Sequence, residues 1–395
     1  MNARTPVMDR WVRRTVGSSM PFSVHLDLTY RCNERCVHCY LDHDDHGEMS
    51  TAEIKGVLDQ LARVGTLFLT ISGGEIFLRS DLFELLEHAR ALHFDISLKT
   101  NALLIDAARA ARLRALGVRR IQISIYSADP DIHDAITKVR GSLDRSLAAI
   151  RFLQEQGLQV KIACPLMKQN IAAYRGVLAL AEALGVPYVF DLTITPKLDG
   201  DKSVLAFRNP AQDVLAVLQE PAFGPHSCSG DDAGETALPL GSATSSGIES
   251  SAYKDIPCSA GHNSCYISPY GDVFPCVQMP VPTGNLRRQA FADIWHRSPE
   301  MNRVRAVRES HMPVCSTCSI RKYCERCPGL AQMEGGDLLG AYERACELAE
   351  THARLDGVEN PVSAMHAMAS APLSAAGMAA ASATSAPRQA FVILP

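Results

Sequence analysis

Between residues 22 and 198 short apolar runs alternate with amphipathic stretches. Six runs, SVHLDLTY, TLFLTIS, FDISLKT, RIQISIYS, QVKIACPL and YVFDLTIT, are rich in β-branched residues and have the length of buried strands. The stretches between them, such as TAEIKGVLDQLARV and SLDRSLAAIRFLQEQ, repeat apolar residues at helical spacing. Several close on Gly65, Gly117, Gly157 or Gly185, which suits a left-handed helix C-cap because glycine has no Cβ to clash. Ser50 and Glu53 stand at the spacing of a capping box.

Strands alternating with helices at this interval predict right-handed βαβ units, a parallel sheet and an α/β fold. Six repeats predict a partial (β/α)6 parallel barrel over residues 22–198, with the site on loops after the C-terminal ends of the strands. The period breaks near residue 200. Residues 199–257 read as a linker whose Gly/Ser-rich part, 226–254, has no apolar period and is expected to be flexible. Residues 258–350 set clustered cysteines among short turns with little apolar content, the pattern of a small metal-stabilised domain. The Ala/Ser-rich segment 360–395 reads as a disordered tail.

Composition narrows the function. A chain of 395 residues with 47% hydrophobic content can bury one large domain and a smaller appendage. Its 39 Lys and Arg against 43 Asp and Glu give a net charge of −4, so there is no basic field for nucleic acid. No stretch is apolar and long enough for a signal peptide or a membrane span, and the expected location is the cytoplasm, with no membrane partner. Thirteen cysteines in a reducing compartment are expected to ligate metal rather than to pair.

Cys32, Cys36 and Cys39 form a CxxxCxxC immediately after the first run. Three thiolates hold three corners of a [4Fe–4S] cluster and leave the fourth iron open. Zinc is the alternative, but a structural zinc site wants four protein ligands. No fourth cysteine or spaced histidine pair follows, and His38, His43 and His46 read as solvated. The later cysteines, Cys258, Cys265, Cys276, Cys315, Cys318, Cys324, Cys327 and Cys346, make two sets of four. For them a pair of zinc ribbons in an interaction module stays open. Cys164 lies in an apolar run and reads as core, Cys228 as a free thiol.

A CxxxCxxC followed by Tyr40 on the first βα loop resembles the radical S-adenosylmethionine (SAM) superfamily. Ser72-Gly73-Gly74-Glu75 at the end of the second run looks like the family's segment that engages the amino group of SAM, although Ile76 stands where proline is usual. The resemblance implies that Asn101, Ser124 and Arg140 contact the ribose and carboxylate of SAM and that Tyr40 packs on its adenine; no catalytic residue is assigned beyond the cluster. The cysteine-rich region, with Gly271 five residues before Cys276, resembles the SPASM extension of these enzymes, except that Cys324 and Cys327 are spaced CxxC rather than CxxxC. That resemblance implies three [4Fe–4S] clusters. The nearer auxiliary cluster would take Cys258, Cys265, Cys276 and Cys327, and the farther one Cys315, Cys318, Cys324 and Cys346. It also implies SAM cleavage to a 5′-deoxyadenosyl radical, an electron donor such as flavodoxin or ferredoxin, and a peptide or protein substrate. Maturation of a ribosomally made peptide is the leading expectation, with a separate protein to bind its leader. Formylglycine formation of the anaerobic sulfatase type and tetrapyrrole side-chain modification are the alternatives.

Overall fold

The computed structural model describes residues 11–219 and 255–370, apart from residues 12 and 13. All six expected strands form: β1 Ser23–Asp27, β2 Phe68–Ser72, β3 Asp95–Thr100, β4 Arg120–Ser124, β5 Gln159–Pro165 and β6 Tyr188–Asp191. The intervening helices include α1 Thr51–Arg63, α2 Leu82–Ala91, α3 Ala107–Ala115, α4 Pro130–Thr137, α5 Ser142–Glu155 and α6 Tyr174–Leu184. The Ser50 hydroxyl and the Glu53 carboxylate cap each other's backbone at the start of α1, as the spacing predicts. Gly65, Gly117, Gly157 and Gly185 all adopt positive φ just beyond a helix.

The sheet is larger than the six strands. Its order is β6-β5-β4-β3-β2-β1-β7-β8-β9, where β7 is Ser264–Ile267, β8 Asp272–Phe274 and β9 Gly284–Asn285. The first six strands pair in parallel, and β7 runs parallel to β1, with Val24 opposite Cys265 and Leu26 opposite Ile267. The two remaining strands are antiparallel. Without β7, one side of β1 would be an unpaired edge.

Side chains alternate across each strand. Val24, Leu26, Leu69, Ile71, Ile96, Leu98, Ile121 and Ile123 are buried in the main core. The opposite parity, including His25, Thr70, Lys99, Gln122 and Ser124, lines a concave face. The core is therefore the layer between sheet and helices, and the inside of the curved sheet is polar.

The cysteine-rich region has more core than its composition suggests. Phe291, Ile294 and Trp295 of α7 (Phe291–Arg297), with Met301 of α8 (Pro299–Arg305), join the main core. The Phe291 amide donates to Gln60 Oε1 on α1 at 2.8 Å, the Trp295 indole donates to the Ser19 carbonyl, and Arg287 pairs with Glu53 at 2.6 Å. Metal is thus not the sole source of stability there. The tail also begins differently: Ala364–Ser370 is a helix, with the Ala364 amide 3.4 Å from Cys318 Sγ and Met365 Sδ 3.9 Å from Cys346 Sγ. Residues 371–395 and the 226–254 insertion lie outside the described residues.

Candidate functional site

The loop carrying Cys32, Cys36 and Cys39 leaves the C-terminal end of β1 and is pinned by its neighbours. Gly74 N donates to Thr29 O at 2.7 Å and Glu75 N to Arg31 O at 2.9 Å; on the other side Arg35 N and Val37 N donate to Thr137 O and Ile136 O, each at 3.0 Å. A Cβ on Gly73 would stand 2.2 Å from Thr29 O, and one on Gly74 2.3 Å from Arg31 O. Glycine is required because the end of β2 lies directly against the cluster loop.

Above the concave face of the sheet opens a cavity of about 500 Å³. Cys32, Cys36 and Cys39 line it together with Cys265 and Cys276. Burial pushes the Cys32 thiol up to about 12 and raises Cys36 and Cys39 as well. It likewise pushes Cys258 to about 12 and Cys276 and Cys324 to about 11. Neutral thiols are favoured in such surroundings, and thiolates become favourable once bound iron compensates their charge. His38 is not solvated as expected: its ring packs edge-on against Tyr126, and its Nδ1 is buried without a partner among the described residues. Thiols and an orphaned imidazole nitrogen in one cavity wall suit a bound cluster and a polar ligand.

The later thiols fall into two neighbourhoods. The Cys258 thiol is raised further by Cys327 and Cys276, and Cys265 by Cys276. Cys324 is influenced by Cys346, Cys315 and Cys318, and Cys346 by Cys315 and Cys318. Gly329, whose Cβ would stand 2.1 Å from Gln278 O, lets the helix after Cys327 close on the turn after Cys276. All twelve cysteines among the described residues are free. Among those residues no three His, Cys, Asp or Glu side chains converge on a single point.

Of the residues expected to contact SAM, Tyr40, Gly73, Gly74, Asn101 and Ser124 line the cavity. Asn101 Nδ2 donates to Asn33 Oδ1 at 2.7 Å, fixing it beside Cys32. Glu75 does not line the cavity; it is fully buried and accepts from Thr100 Oγ1 at 2.8 Å, Asn101 N at 2.9 Å and Phe77 N at 3.0 Å. It fastens the end of β2 to the end of β3. Arg140 is exposed in the turn after α4 and does not reach the cavity lining.

Several cavity residues carry no motif. Glu34, 3% exposed, accepts from Cys36 Sγ at 3.4 Å, and burial pushes its carboxyl up to about 7. Tyr266 donates to Asp27 Oδ2 at 2.9 Å and bonds the Tyr30 hydroxyl at 2.7 Å, while His25 Nε2 lies 3.0 Å from Asp27 Oδ1. Lys99 lies on the same concave face. The trace of His25, Asp27 and Lys99 in the sequence is polar residues of a single parity within otherwise apolar runs, whereas Glu34 lies inside the first cysteine loop.

Residues 26–181 match the model of the radical SAM superfamily, and residues 258–319 match the SPASM iron–sulfur cluster-binding domain. The chain is 28% identical to an AdoMet-dependent heme synthase of Methanosarcina barkeri, over 82% of this chain and 95% of that protein. It is 30% identical to the mycofactocin maturase MftC of Mycobacterium tuberculosis, over 78% of each. In fold it is similar to Streptococcus suis SuiB bound to the precursor peptide SuiA, with a TM-score of 0.61 at 18% identity, covering 86% of this chain and 80% of that one.

Proposed function

The chain belongs to the radical SAM superfamily and carries its SPASM iron–sulfur extension; from that premise we propose that it cleaves SAM reductively and modifies a peptide, as a maturase of a ribosomally made precursor. One observation carries the reading. The cysteines of the first loop and Cys276 of the nearer auxiliary set line the same cavity, so a substrate there lies between a radical source and an electron acceptor. A volume of about 500 Å³ accommodates a side chain and its flanking backbone.

In this reading the chain holds three [4Fe–4S] clusters: one on Cys32, Cys36 and Cys39, one on Cys258, Cys265, Cys276 and Cys327, and one on Cys315, Cys318, Cys324 and Cys346. When bound, the first cluster and SAM supply the 5′-deoxyadenosyl radical. The protein's own part is positional. Gly73 and Gly74 offer close backbone approach, Asn101 and Ser124 offer polar contacts beside Cys32, and Tyr40 offers an aromatic face. Glu75 keeps the β2 and β3 ends in register. The reductant is a small flavodoxin- or ferredoxin-like donor in the cytoplasm, and a separate protein presents the leader peptide.

The similarity to MftC over most of both chains favours a peptide. A second reading, a tetrapyrrole substrate, is favoured by the heme synthase, 95% of which this chain covers. Anaerobic co-expression with peptides encoded beside the gene, followed by mass spectrometry, tests the first reading. A mass change that depends on Cys32, Cys36 and Cys39 supports it. Unmodified peptides together with conversion of a supplied tetrapyrrole would replace it with the second.

A further inference from the structure

The concave face of the sheet contains a charge that the SAM and cluster assignments do not use. Lys99 lies near the end of β3, between Leu98, buried in the main core, and Thr100, whose hydroxyl is turned to Glu75. Its own side chain faces the cavity, where it is the single Lys or Arg among the described lining residues. No carboxylate among the described residues lies within ion-pair distance of its ammonium, whereas Lys55 and Lys197 on the surface are paired at 2.6 and 2.8 Å.

Its position is informative. Lys99 is two residues before Asn101, which sits beside Cys32, and it shares the cavity lining with Cys276 and Asp191. The ammonium therefore faces a cavity that the first cysteine loop and Cys276 of the nearer auxiliary set also line. Gln122, directly opposite Lys99 in the β3–β4 register, and Ser124 supply neutral polar groups in the same wall. Of the two acids among the described lining residues, Asp191 is engaged by the Thr193 amide at 2.7 Å and Glu34 accepts from Cys36 Sγ at 3.4 Å.

Arg120, at the start of the neighbouring strand β4, lies outside the cavity lining. It is 7% exposed, has the same strand parity as Gln122, and its three guanidinium nitrogens are buried without partners among the described residues. A buried cation left uncompensated is costly. Lys99, half-buried and facing the cavity with no ion-pair partner among the described residues, favours an anion within it, and a carboxylate is the anion whose hydrogen bonds an ammonium and neighbouring amide and hydroxyl groups would match.

We propose that Lys99 anchors a free carboxylate of the substrate, so that this site accepts substrates whose reacting carbon lies close to a carboxyl group. The inference rests on the radical SAM reading and deepens it. A peptide would supply its C-terminal or an acidic side-chain carboxylate, a tetrapyrrole a propionate. Lys99 is a positioning residue: it holds the carboxylate while the carbon beside it faces the first cluster.

The test uses reconstituted holoenzyme with SAM and two probe pairs: a pentapeptide with a free C-terminal carboxyl against its C-terminal amide, and a porphyrin tetrapropionate against its tetramethyl ester. In one pair the acid binds the wild type at least about tenfold more tightly than its neutral partner, the worth of one charge-assisted hydrogen bond. That ratio falls to near unity in Lys99→Met and is retained in part in Lys99→Arg, and the pair that discriminates identifies the source of the carboxylate. Three outcomes overturn the proposal: neither acid is preferred, Lys99→Met keeps the preference, or Lys99→Met weakens SAM binding instead. Iron content and 5′-deoxyadenosine formation are measured on the same preparations. A wild type that cleaves SAM but ignores the probes' charge refutes this inference alone, whereas a wild type that does not cleave SAM refutes the reading beneath it.

Discussion

Gly74→Ala adds one methyl group at the contact between the end of β2 and the cluster loop. The new Cβ would stand 2.3 Å from Arg31 O, 2.5 Å from Tyr30 O and 2.8 Å from the Arg31 carbonyl carbon. All three are backbone atoms, so no side chain can rotate away, and the loop must retreat by about 1 Å to restore ordinary contact. Gly74 does not adopt positive φ, unlike Gly73 at +144°, so the effect comes from contact rather than backbone conformation. The retreat strains the bonds from Gly74 N to Thr29 O and Glu75 N to Arg31 O, each worth about 1 kcal/mol. Overpacking adds about 1–3 kcal/mol. A loss of about 3 kcal/mol leaves a protein of ordinary stability folded, while a 1 Å displacement of a reacting group costs on the order of 100-fold in rate. Gly74→Ala should therefore melt several degrees lower, keep most of its iron, and form 5′-deoxyadenosine far more slowly than wild type. Measured by differential scanning calorimetry, iron assay and anaerobic SAM cleavage, a variant equal to wild type in all three would refute the close approach of β2 to the cluster loop.

Cys265→Ser should lower the iron content by about four atoms, because Cys265, 3% exposed on β7, feels the Cys276 thiol; full iron content with an unchanged spectrum would mean that the nearer cluster has three thiolates. His366 bonds Glu350 at 2.7 Å and Glu343 at 3.0 Å; burial alone would lower its pKa, but the two carboxylates outweigh it and the net shift is upward. A raised native pKa means stabilisation that is complete below the unfolded value of about 6.5 and fades as pH rises through the native one. Hydrogen exchange at Ala364–Ser370, corrected for its intrinsic pH dependence, should thus show protection falling above neutrality in wild type and independent of pH in His366→Gln. Protection that rises with pH in wild type would show that the contact does not hold the helix.

The repeating part of the fold was legible because its signal is local. Each of the six strands is an apolar run, and several helix boundaries have their own glycine or cap, as at Ser50 and Gly65. The pairing of β1 with β7 was not legible. The sequence SCYI carries no mark that it belongs beside SVHL, some 240 residues earlier, since strand pairing at that separation depends on tertiary packing. The same holds for Trp295, whose burial against the main core makes the cysteine-rich region part of one packed body. Within the site, the cysteines were legible from spacing alone. The buried role of Glu75 was not, because a Gly-Gly-Glu does not reveal that Thr100 and the Asn101 amide claim its carboxylate. Nor was Lys99, a single polar residue in FDISLKT whose position above the concave face depends on strand parity.

The central claim is that Cys32, Cys36 and Cys39 hold the cluster that cleaves SAM. The direct measurement compares anaerobically reconstituted wild type with the Cys32→Ala/Cys36→Ala/Cys39→Ala variant, assaying iron and, under reduction with SAM, 5′-deoxyadenosine and methionine. The wild type should contain about twelve irons and form both products in equal amounts, and the variant should keep about eight irons and form neither. Continued 5′-deoxyadenosine formation by the variant, or a wild type without iron that leaves SAM intact, would contradict the account.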